Sequence, residues 1–227
     1  MELEEIKNLD NYKRVHLIGI GGISMSAIAE TLKAWGHIVT GSDLVASELT
    51  EKLEKDGIEV AIGHDVDLAI RVANNNPEAI KIIDAGSLKE TTVLLAKYCD
   101  YIVCSNDFAR DYTGIDFDYS DMNKICEVYD KISKDFNGKL IITLEANGSL
   151  IKMDDGFKLV KSINVESVDS TGAGDIYHGA FTHFIANGYN VIDAMKYYNI
   201  AGELSVRKIG SKNSMPNYED VINYHEL

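Results

Sequence analysis

The chain has 227 residues, of which 45% are hydrophobic and only two are proline, enough for one sizeable α/β core or two small ones. Its formal charge of −14 argues against a nucleic-acid or anionic-membrane surface, because either would need a basic patch. We expect no membrane segment, since no stretch has the length of a membrane span and the first ten residues are acidic, unlike a signal peptide.

The first motif is an apolar strand that runs into glycines and then into an amphipathic helix. The glycines are Gly19, Gly21 and Gly22, and this strand, turn and helix context is the one that a Rossmann phosphate loop requires. After the second predicted strand comes Asp43, which could contact a ribose or a neighbouring backbone group. Alternatively, Asp43 could cap the helix that is predicted to begin near Ser47.

A resemblance supports a phosphate-binding role for this loop. Residues 14–65, which include the run VHLIGIGGISMSAIAETLKAWGHIVTGSDL, resemble the N-terminal domain of the Mur ligase family, most closely the UDP-N-acetylmuramate-L-alanine ligases. That domain binds the UDP part of the substrate, so the resemblance implies a nucleotide or another phosphate-containing small molecule at the glycine loop. The family's central ATPase domain and C-terminal domain have no counterpart in the sequence, so amide-bond ligation is not expected.

The three cysteines, Cys99, Cys104 and Cys126, are odd in number and lack the spacing of metal ligands. We therefore expect reduced, buried thiols and a cytoplasmic protein. The histidines His178 and His183 lie five residues apart on a predicted helix, a spacing that does not share one face. Helix packing or surface exposure is thus expected for them, and no metal site is predicted.

The second motif is the segment Val168–Asp175. Small residues at Gly172, Ala173 and Gly174 let backbone N–H groups turn inward at the start of a helix, where the helix dipole favours an anion. A carboxylate at Asp175 could then take a proton from a hydroxyl group that attacks a phosphoryl group. The alternative is a tight strand-to-helix connection with an N-capping acid.

With its flank this segment reads DSTGAGDIYHGAFTHFIANG and resembles the C-terminal signature of the PfkB, or ribokinase-like, carbohydrate kinases. The resemblance covers roughly Asp67 to Leu227. It implies an ATP-dependent sugar kinase with magnesium, in which Asp175 is the catalytic base and Gly172 to Gly174 form the anion hole. The front half of such kinases supplies most of the sugar-binding residues and a β lid, and it has no counterpart in this sequence.

Several single residues bear on the nucleotide. Thr143 and Gly148 match the family's nucleotide-side T-L-G-x-x-G pattern, but Glu145 stands where its first glycine is usual and could repel phosphate. Asn199 lies on the helix that resembles the adenine wall, and it could contact the nucleotide or be solvated. Ala109 replaces the glutamate of the family's magnesium-organising motif, which weakens the inference of magnesium.

Alternating strands and helices predict a Rossmann-like three-layer α/β/α sandwich with a mainly parallel, doubly wound sheet. Strands are predicted at 14–19, 37–41, 58–62, 80–84, 101–104, 139–144 and 149–153. Helices are predicted at 23–35, 47–56, 66–75, 88–98, 121–135, 174–187, 191–208 and 217–223. Residues 1–65 would form the Mur-like half and residues 66–227 the kinase-like half. Because no flexible linker separates them, one continuous sheet and domain are expected.

The joining of two enzyme families, each lacking part of its own chemistry, predicts a chimaera, either engineered from fragments or a natural truncated fusion. Three functions remain open: residual nucleotide or phosphate binding without efficient turnover, an ATP-dependent carbohydrate kinase, and a UDP-sugar or dinucleotide-binding module. Loss of a lid and of a partner domain would expose apolar faces, so a homodimer is also expected.

Overall fold

The computed structural model describes residues 14–63, 66–209 and 214–224 of the chain. The chain forms two compact units. The first unit contains the described residues up to 63 and those from Asn164 onward, and the second unit is Val66–Ile163. Residues 64 and 65, at the predicted junction, lie outside the described residues. The division into a Mur-like half and a kinase-like half that together form one domain stays a prediction.

The helices and strands follow one another in largely alternating order. In chain order they are β1 (Arg14–Ile18), α1 (Ile23–Ala34), β2 (Ile38–Asp43), α2 (Glu48–Lys55), β3 (Glu59–Ile62), α3 (Val66–Asn75), β4 (Ile82–Ala85), α4 (Glu90–Ala96), β5 (Tyr101–Cys104), α5 (Asn106–Thr113), α6 (Met122–Ile132), β6 (Lys139–Thr143), β7 (Ser149–Met153), β8 (Gly156–Val160), α7 (Ala173–Ala186), α8 (Val191–Ser205) and α9 (Tyr218–Ile222). A single 3₁₀ turn, Glu145–Asn147, precedes β7.

Every predicted strand and helix is present, with its ends shifted by at most three residues. Two elements were not predicted, α5 and β8. Helix α5 is short and mostly polar, so its sequence pattern is weak, but it has strong ends: Ser105 accepts a hydrogen bond from the Phe108 N–H, and Gly114 adopts the left-handed conformation. Strand β8 completes an antiparallel hairpin with β7.

The first unit contains a three-stranded parallel sheet in the order β1-β2-β3. Helix α2 begins with a capping box, in which Ser47 and Thr50 each satisfy the backbone N–H of the other. The sheet and its two crossover helices enclose a core of eight aliphatic side chains: Leu17, Ile20, Ile28, Ala29, Leu32, Val39, Leu53 and Ile58.

Helices α1 and α7 of the first unit pack in parallel. A Cβ atom added to Gly179 would lie 3.0 Å from Cγ2 of Thr31, so glycine lets the two helices approach closely. One turn further along both helices, the rings of Trp35 and His183 meet at 5.0 Å between centroids. The packing expected for His183 is therefore confirmed, because its side chain is buried between these helices.

The second unit contains a five-stranded sheet in the order β4-β5-β6-β7-β8. Its first three strands are parallel and its last two pairings are antiparallel, so the mainly parallel α/β architecture is confirmed. Its core includes Ile102, Phe108, Ile125, Ile132 and Leu140. Among the described strands β3 pairs only with β2 and β4 only with β5, so the expected single continuous sheet is wrong.

All three cysteines are free, as expected; Cys104 is buried and the other two are half-buried. Burial raises the pKa of Cys99 to about 12, which leaves this thiol protonated and unreactive at neutral pH. Among the described helices, none combines the length and the apolar character that a membrane-spanning segment needs.

Candidate functional site

The turn that precedes α7 is anchored by backbone hydrogen bonds. The N–H groups of Val168 and Asp169 donate to the carbonyl oxygen of Val206 at 2.7 and 3.0 Å. Oδ1 of Asp169 accepts from the Thr171 N–H at 2.9 Å. Gly172 then takes a left-handed conformation with φ 80°, which a residue with a side chain rarely adopts. The chain therefore enters α7 through a fixed, glycine-dependent turn.

This turn leaves a donor and open space at the start of the helix. The Ala173 N–H donates to Ser170 within the turn, whereas the described residues include no acceptor for the N–H of Gly174. A Cβ atom added to Gly174 would meet no atom within 4 Å. Asp175 lies in the same first helical turn and is half-buried. No side chain caps α7, so the N-capping acid left as an alternative is not found.

The turn after β1 is closed by hydrogen bonds to the neighbouring strand. The N–H groups of Gly19 and Ile20 donate to the carbonyl oxygen of Ser42 at 2.8 and 3.1 Å. The Gly21 N–H donates to Oδ2 of Asp43 at 2.7 Å. Asp43 thus contacts a neighbouring backbone group, which is one of the two roles predicted for it, and its contact with a ribose stays a prediction. The capping alternative is wrong, because α2 is capped by its own first-turn residues.

The residues around Gly21 disfavour the binding of an anion. A Cβ atom there would lie 2.8 Å from Oδ2 of Asp43 and 2.8 Å from Cγ2 of Thr50, so packing alone requires glycine. The amide that could bind a phosphate already donates to a carboxylate, whose negative charge would repel a second anion. Gly22 also uses its N–H within the turn, donating to the carbonyl oxygen of Gly19 at 3.0 Å.

The two glycine turns lie at the same end of one helix pair. Because α1 and α7 pack in parallel, with Thr31 against Gly179 and Trp35 against His183, their N-termini point in the same direction. The predicted residues of the front turn and those of the Gly172 to Asp175 turn are thereby brought to one side of the first unit. The location of the two turns on the same side could not be predicted from the sequence, since about 150 residues separate them.

The loop after β6, in the second unit, holds Thr143 and Gly148 through backbone contacts. The Leu144 N–H donates to the Gly148 carbonyl oxygen at 2.8 Å. A Cβ atom on Gly148 would lie 2.1 Å from the carbonyl oxygen of Val160 in β8, so this glycine is needed for the hairpin. The Thr143 hydroxyl donates to the carbonyl oxygen of Cys104 at 3.4 Å. These contacts give both residues a structural role, and their contact with a nucleotide stays a prediction.

Glu145 departs from the kinase pattern in conformation as well as in charge. It is the single non-glycine residue with positive φ, 52°, among the described residues. Its carboxylate lies beside Tyr119, and burial together with Glu145 raises the pKa of Tyr119 to about 12. The Tyr119 hydroxyl also accepts a hydrogen bond from Nδ2 of Asn106 at 2.6 Å. A protein carboxylate therefore occupies this loop where the resemblance expects bare backbone.

Two further residues named from the kinase resemblance are buried. Asn199 on α8 is 1% exposed, so the solvated position considered for it is wrong and its contact with adenine stays a prediction. Ala109 is fully buried in the core of the second unit and supplies no magnesium ligand. Among the described residues, no cluster of three or more histidine, cysteine, aspartate or glutamate side chains could hold a metal ion.

The chain resembles two protein families. The model of the pfkB family carbohydrate kinases matches residues 63–218, and that of the Mur ligase family, catalytic domain, matches residues 14–88. The UDP-N-acetylmuramate-L-alanine ligase of Acetivibrio thermocellus is 43% identical over 105 residues, which is 41% of this chain and 22% of that ligase. The chain spans between about a fifth and a half of the lengths of the curated ligases that it matches.

Solved structures of sugar kinases share the fold. A ribokinase from Thermotoga maritima superposes with a TM-score of 0.70 at 18% identity, covering 88% of this chain and 86% of that chain. A fructokinase from Vibrio cholerae, solved with fructose, ADP and calcium bound, gives a TM-score of 0.71 at 15% identity, covering 95% and 97%. The fold is thus a ribokinase-like α/β fold with open sheets.

We predict that Glu145→Gly stabilises the protein by about 1 kcal/mol, because glycine adopts positive φ without the steric cost that an L-residue meets there. Urea unfolding would measure the change. Ala146→Gly is the matched control, since Ala146 has negative φ and should lose stability on gaining backbone freedom. Equal destabilisation by both substitutions would contradict the assignment of strain to Glu145.

Proposed function

The chain belongs to the pfkB family of carbohydrate kinases, and from this membership we propose that it binds a phosphate-containing small molecule at the Gly172 to Gly174 turn without efficient turnover. The observation that carries the proposal is the environment of Gly174, whose N–H has no acceptor among the described residues and whose missing side chain would point into open space. Backbone donors at the positive end of a helix favour an anion.

The front turn lacks both of these features and is therefore the weaker candidate for binding phosphate. At Gly21 the amide donor is engaged by Asp43, and the space that a ligand would need is filled by Asp43 and Thr50. A UDP-sugar or dinucleotide bound through Gly19, Gly21 and Gly22 is therefore the second candidate function. It is favoured by the match of residues 14–88 to the Mur ligase family rather than by the geometry of the loop.

We further propose that the chain is a chimaera, in which a Mur ligase fragment and a sugar kinase fragment were recombined near residues 63–67. The two family matches support it, since one covers residues 14–88, the other covers residues 63–218, and they overlap only at 63–88. In the first unit, helix α1 of the Mur-like segment packs on helix α7 of the kinase-like segment. A natural protein with both segments in this order would favour a natural truncated fusion instead.

The residues of the α7 turn fit a phosphate group, whereas those near the β6 loop do not fit magnesium. ATP, when bound, would supply the phosphoryl group that the kinase alternative requires. The Gly174 amide would stabilise negative charge on an oxygen of that group, and Asp175 would take the proton of the acceptor hydroxyl. Ala109 and Glu145 offer neither the glutamate nor the bare glycine that the resemblance expects, so no step is assigned to magnesium.

We expect Gly174→Val to weaken ATP binding by about tenfold or more, because a β-branched side chain would occupy open space at the start of the helix and crowd a phosphate bound to the turn. Calorimetric titration with ATP, and then with a UDP-sugar, would measure it. Stability should be unchanged, since the new Cβ would contact no atom of another part of the chain within 4 Å. The matched variant is Gly22→Ala in the front turn, which should leave ATP binding intact. Loss of binding only in Gly22→Ala would identify the front turn as the site.

Sugar phosphorylation should be slow or absent, well below the roughly 1 to 10³ s⁻¹ of ordinary enzymes, because water would compete with the acceptor where no lid excludes it. Sugar-dependent release of ADP would measure the rate with ribose and fructose. Asp175→Asn should abolish any residual rate while leaving ATP binding in place. A rate within the ordinary range would show that the chain is a working sugar kinase.

A homodimer is proposed from four exposed apolar side chains at the carboxyl end of the β1-β2-β3 sheet, namely Ile23, Leu44, Val45 and Ile62. A group of exposed apolar side chains at one end of a sheet favours self-association. Light scattering on the eluting protein should give twice the mass of the chain, and Leu44→Lys should reduce it to that of a monomer. Ile80→Lys is the matched control, since Ile80 is similarly exposed but lies in the second unit. A monomeric parent protein would contradict the proposal.

A further inference from the structure

Two histidines, distant in the sequence, form a buried hydrogen bond in the first unit. Nε2 of His37 lies 2.7 Å from Nδ1 of His183, and both side chains are less than a tenth exposed. Their rings are nearly perpendicular, at 86°. His37 precedes β2 in the Mur-like segment, and His183 lies on α7 in the kinase-like segment. The bond therefore joins the segments from the two families.

Aromatic rings enclose the pair. Trp35 meets the ring of His183 edge-on at 5.0 Å, and Tyr218 of α9 lies 5.1 Å from it. The Trp35 indole N–H donates to the carbonyl oxygen of Pro216 at 3.4 Å. Phe184 also packs on His183, at 5.1 Å between centroids. The enclosure keeps water from the bond and makes charge there costly.

A hydrogen bond between two imidazoles requires one N–H donor and one lone-pair acceptor. When one of the two imidazoles is protonated, the other still offers a lone pair, so the hydrogen bond can persist. A second proton leaves only N–H groups on both rings and places two positive charges at contact distance. The bond is then lost, and the rings repel each other.

We propose that the His37 and His183 hydrogen bond is a pH-sensitive latch, which holds the start of β2 against α7 and opens when both imidazoles are protonated. Opening would loosen the packing of α7, whose N-terminus carries the Gly172 to Gly174 turn. The effect on phosphate binding rests on the function proposed above, whereas the latch itself does not.

The lowered pKa of His183 agrees with its burial beside His37. Burial, and secondly the charge of His37, lower the pKa of His183 from 6.5 to about 4. Because the folded pKa lies below the unfolded value, the unfolded chain binds more protons between pH 6.5 and 4. The stability that this pair contributes is thus fully present above pH 6.5 and is lost as the pH falls toward 4.

Among the described residues, the other titratable groups around the pair are three tyrosines and one acid. The groups that face the rings or the aromatic side chains packed on them are Tyr189, Tyr197, Tyr218 and Glu219. Burial, together with Tyr189, Glu219 and Tyr197, raises the pKa of Tyr218 to about 12, so this phenol stays neutral throughout the acid range. The charge that acts on His183 is that of His37.

The fluorescence of Trp35 tests the latch directly, because it is the single tryptophan of the chain and a protonated imidazole beside an indole quenches its emission. In the ligand-free protein we expect quenching with a midpoint near pH 4. His37→Gln keeps a hydrogen-bonding group at this position that cannot be protonated, so the midpoint should rise above 4, while burial, the larger cause, keeps it below 6.5. Combined with His183→Asn, it should abolish the quenching step.

His16→Gln is the matched control, since His16 forms hydrogen bonds with the hydroxyl groups of Thr40 and Ser42 on the sheet and should leave the midpoint unchanged. A parent midpoint near 6.5, or no response to His37→Gln, would overturn the latch. ATP titration at pH 7.5 and pH 4.5 then tests its consequence. Binding that is absent at both values contradicts the proposed function, whereas equal binding at both contradicts only the coupling of the latch to the turn.

Discussion

The close approach of helices α1 and α7 is the contact on which the first unit depends. Glycine at position 179 lets Thr31 come within van der Waals distance of the α7 backbone, and Trp35 continues the contact one turn later. A larger residue at 179 would push the helices apart and expose the aromatic cluster around His183. Because interiors are densely packed, such a gap would not be refilled by small adjustments. The segments that resemble different families therefore share one packed interior.

Two glycine turns at one end of this helix pair look alike in sequence and differ in chemistry. Each combines glycines, a helix N-terminus and a nearby aspartate. Around Gly21 the aspartate is folded back onto the amide, so donor and acceptor satisfy each other. Around Gly174 the amide has no acceptor among the described residues, a Cβ atom would meet open space, and Asp175 is the next residue of the helix. The helix dipole is common to both, and the position of the carboxylate is the reason that the proposed phosphate site is placed at the second turn.

In the second unit, a departure from the family pattern coincides with an unusual backbone conformation. Glu145 adopts a conformation suited to glycine and places a carboxylate beside Tyr119. Strained residues persist when their surroundings fix them, and here the β7 and β8 hairpin closes on Gly148 so tightly that the loop has little freedom. Position 109 also departs from the family pattern, since alanine stands where the resemblance expects a glutamate. Both departures make binding of a metal ion and a phosphate in this unit less favourable.

Pattern in the sequence was enough to predict the order and type of nearly all the elements, the mainly parallel α/β class and the position of each glycine turn, because periodicity and turn residues act locally. The ribokinase-like character was implied by the resemblance of the kinase signature, not by periodicity. The sequence patterns missed α5, whose helical pattern is short and polar, and β8, whose pairing depends on Gly148. Only the tertiary structure decided that the strands form two sheets and that Asp43 occupies the Gly21 amide. The hydrogen bond between His37 and His183 is likewise a feature of the tertiary structure. These features depend on contacts between residues far apart in the chain, and hydrogen bonding and packing across such distances leave no periodic signal in the sequence.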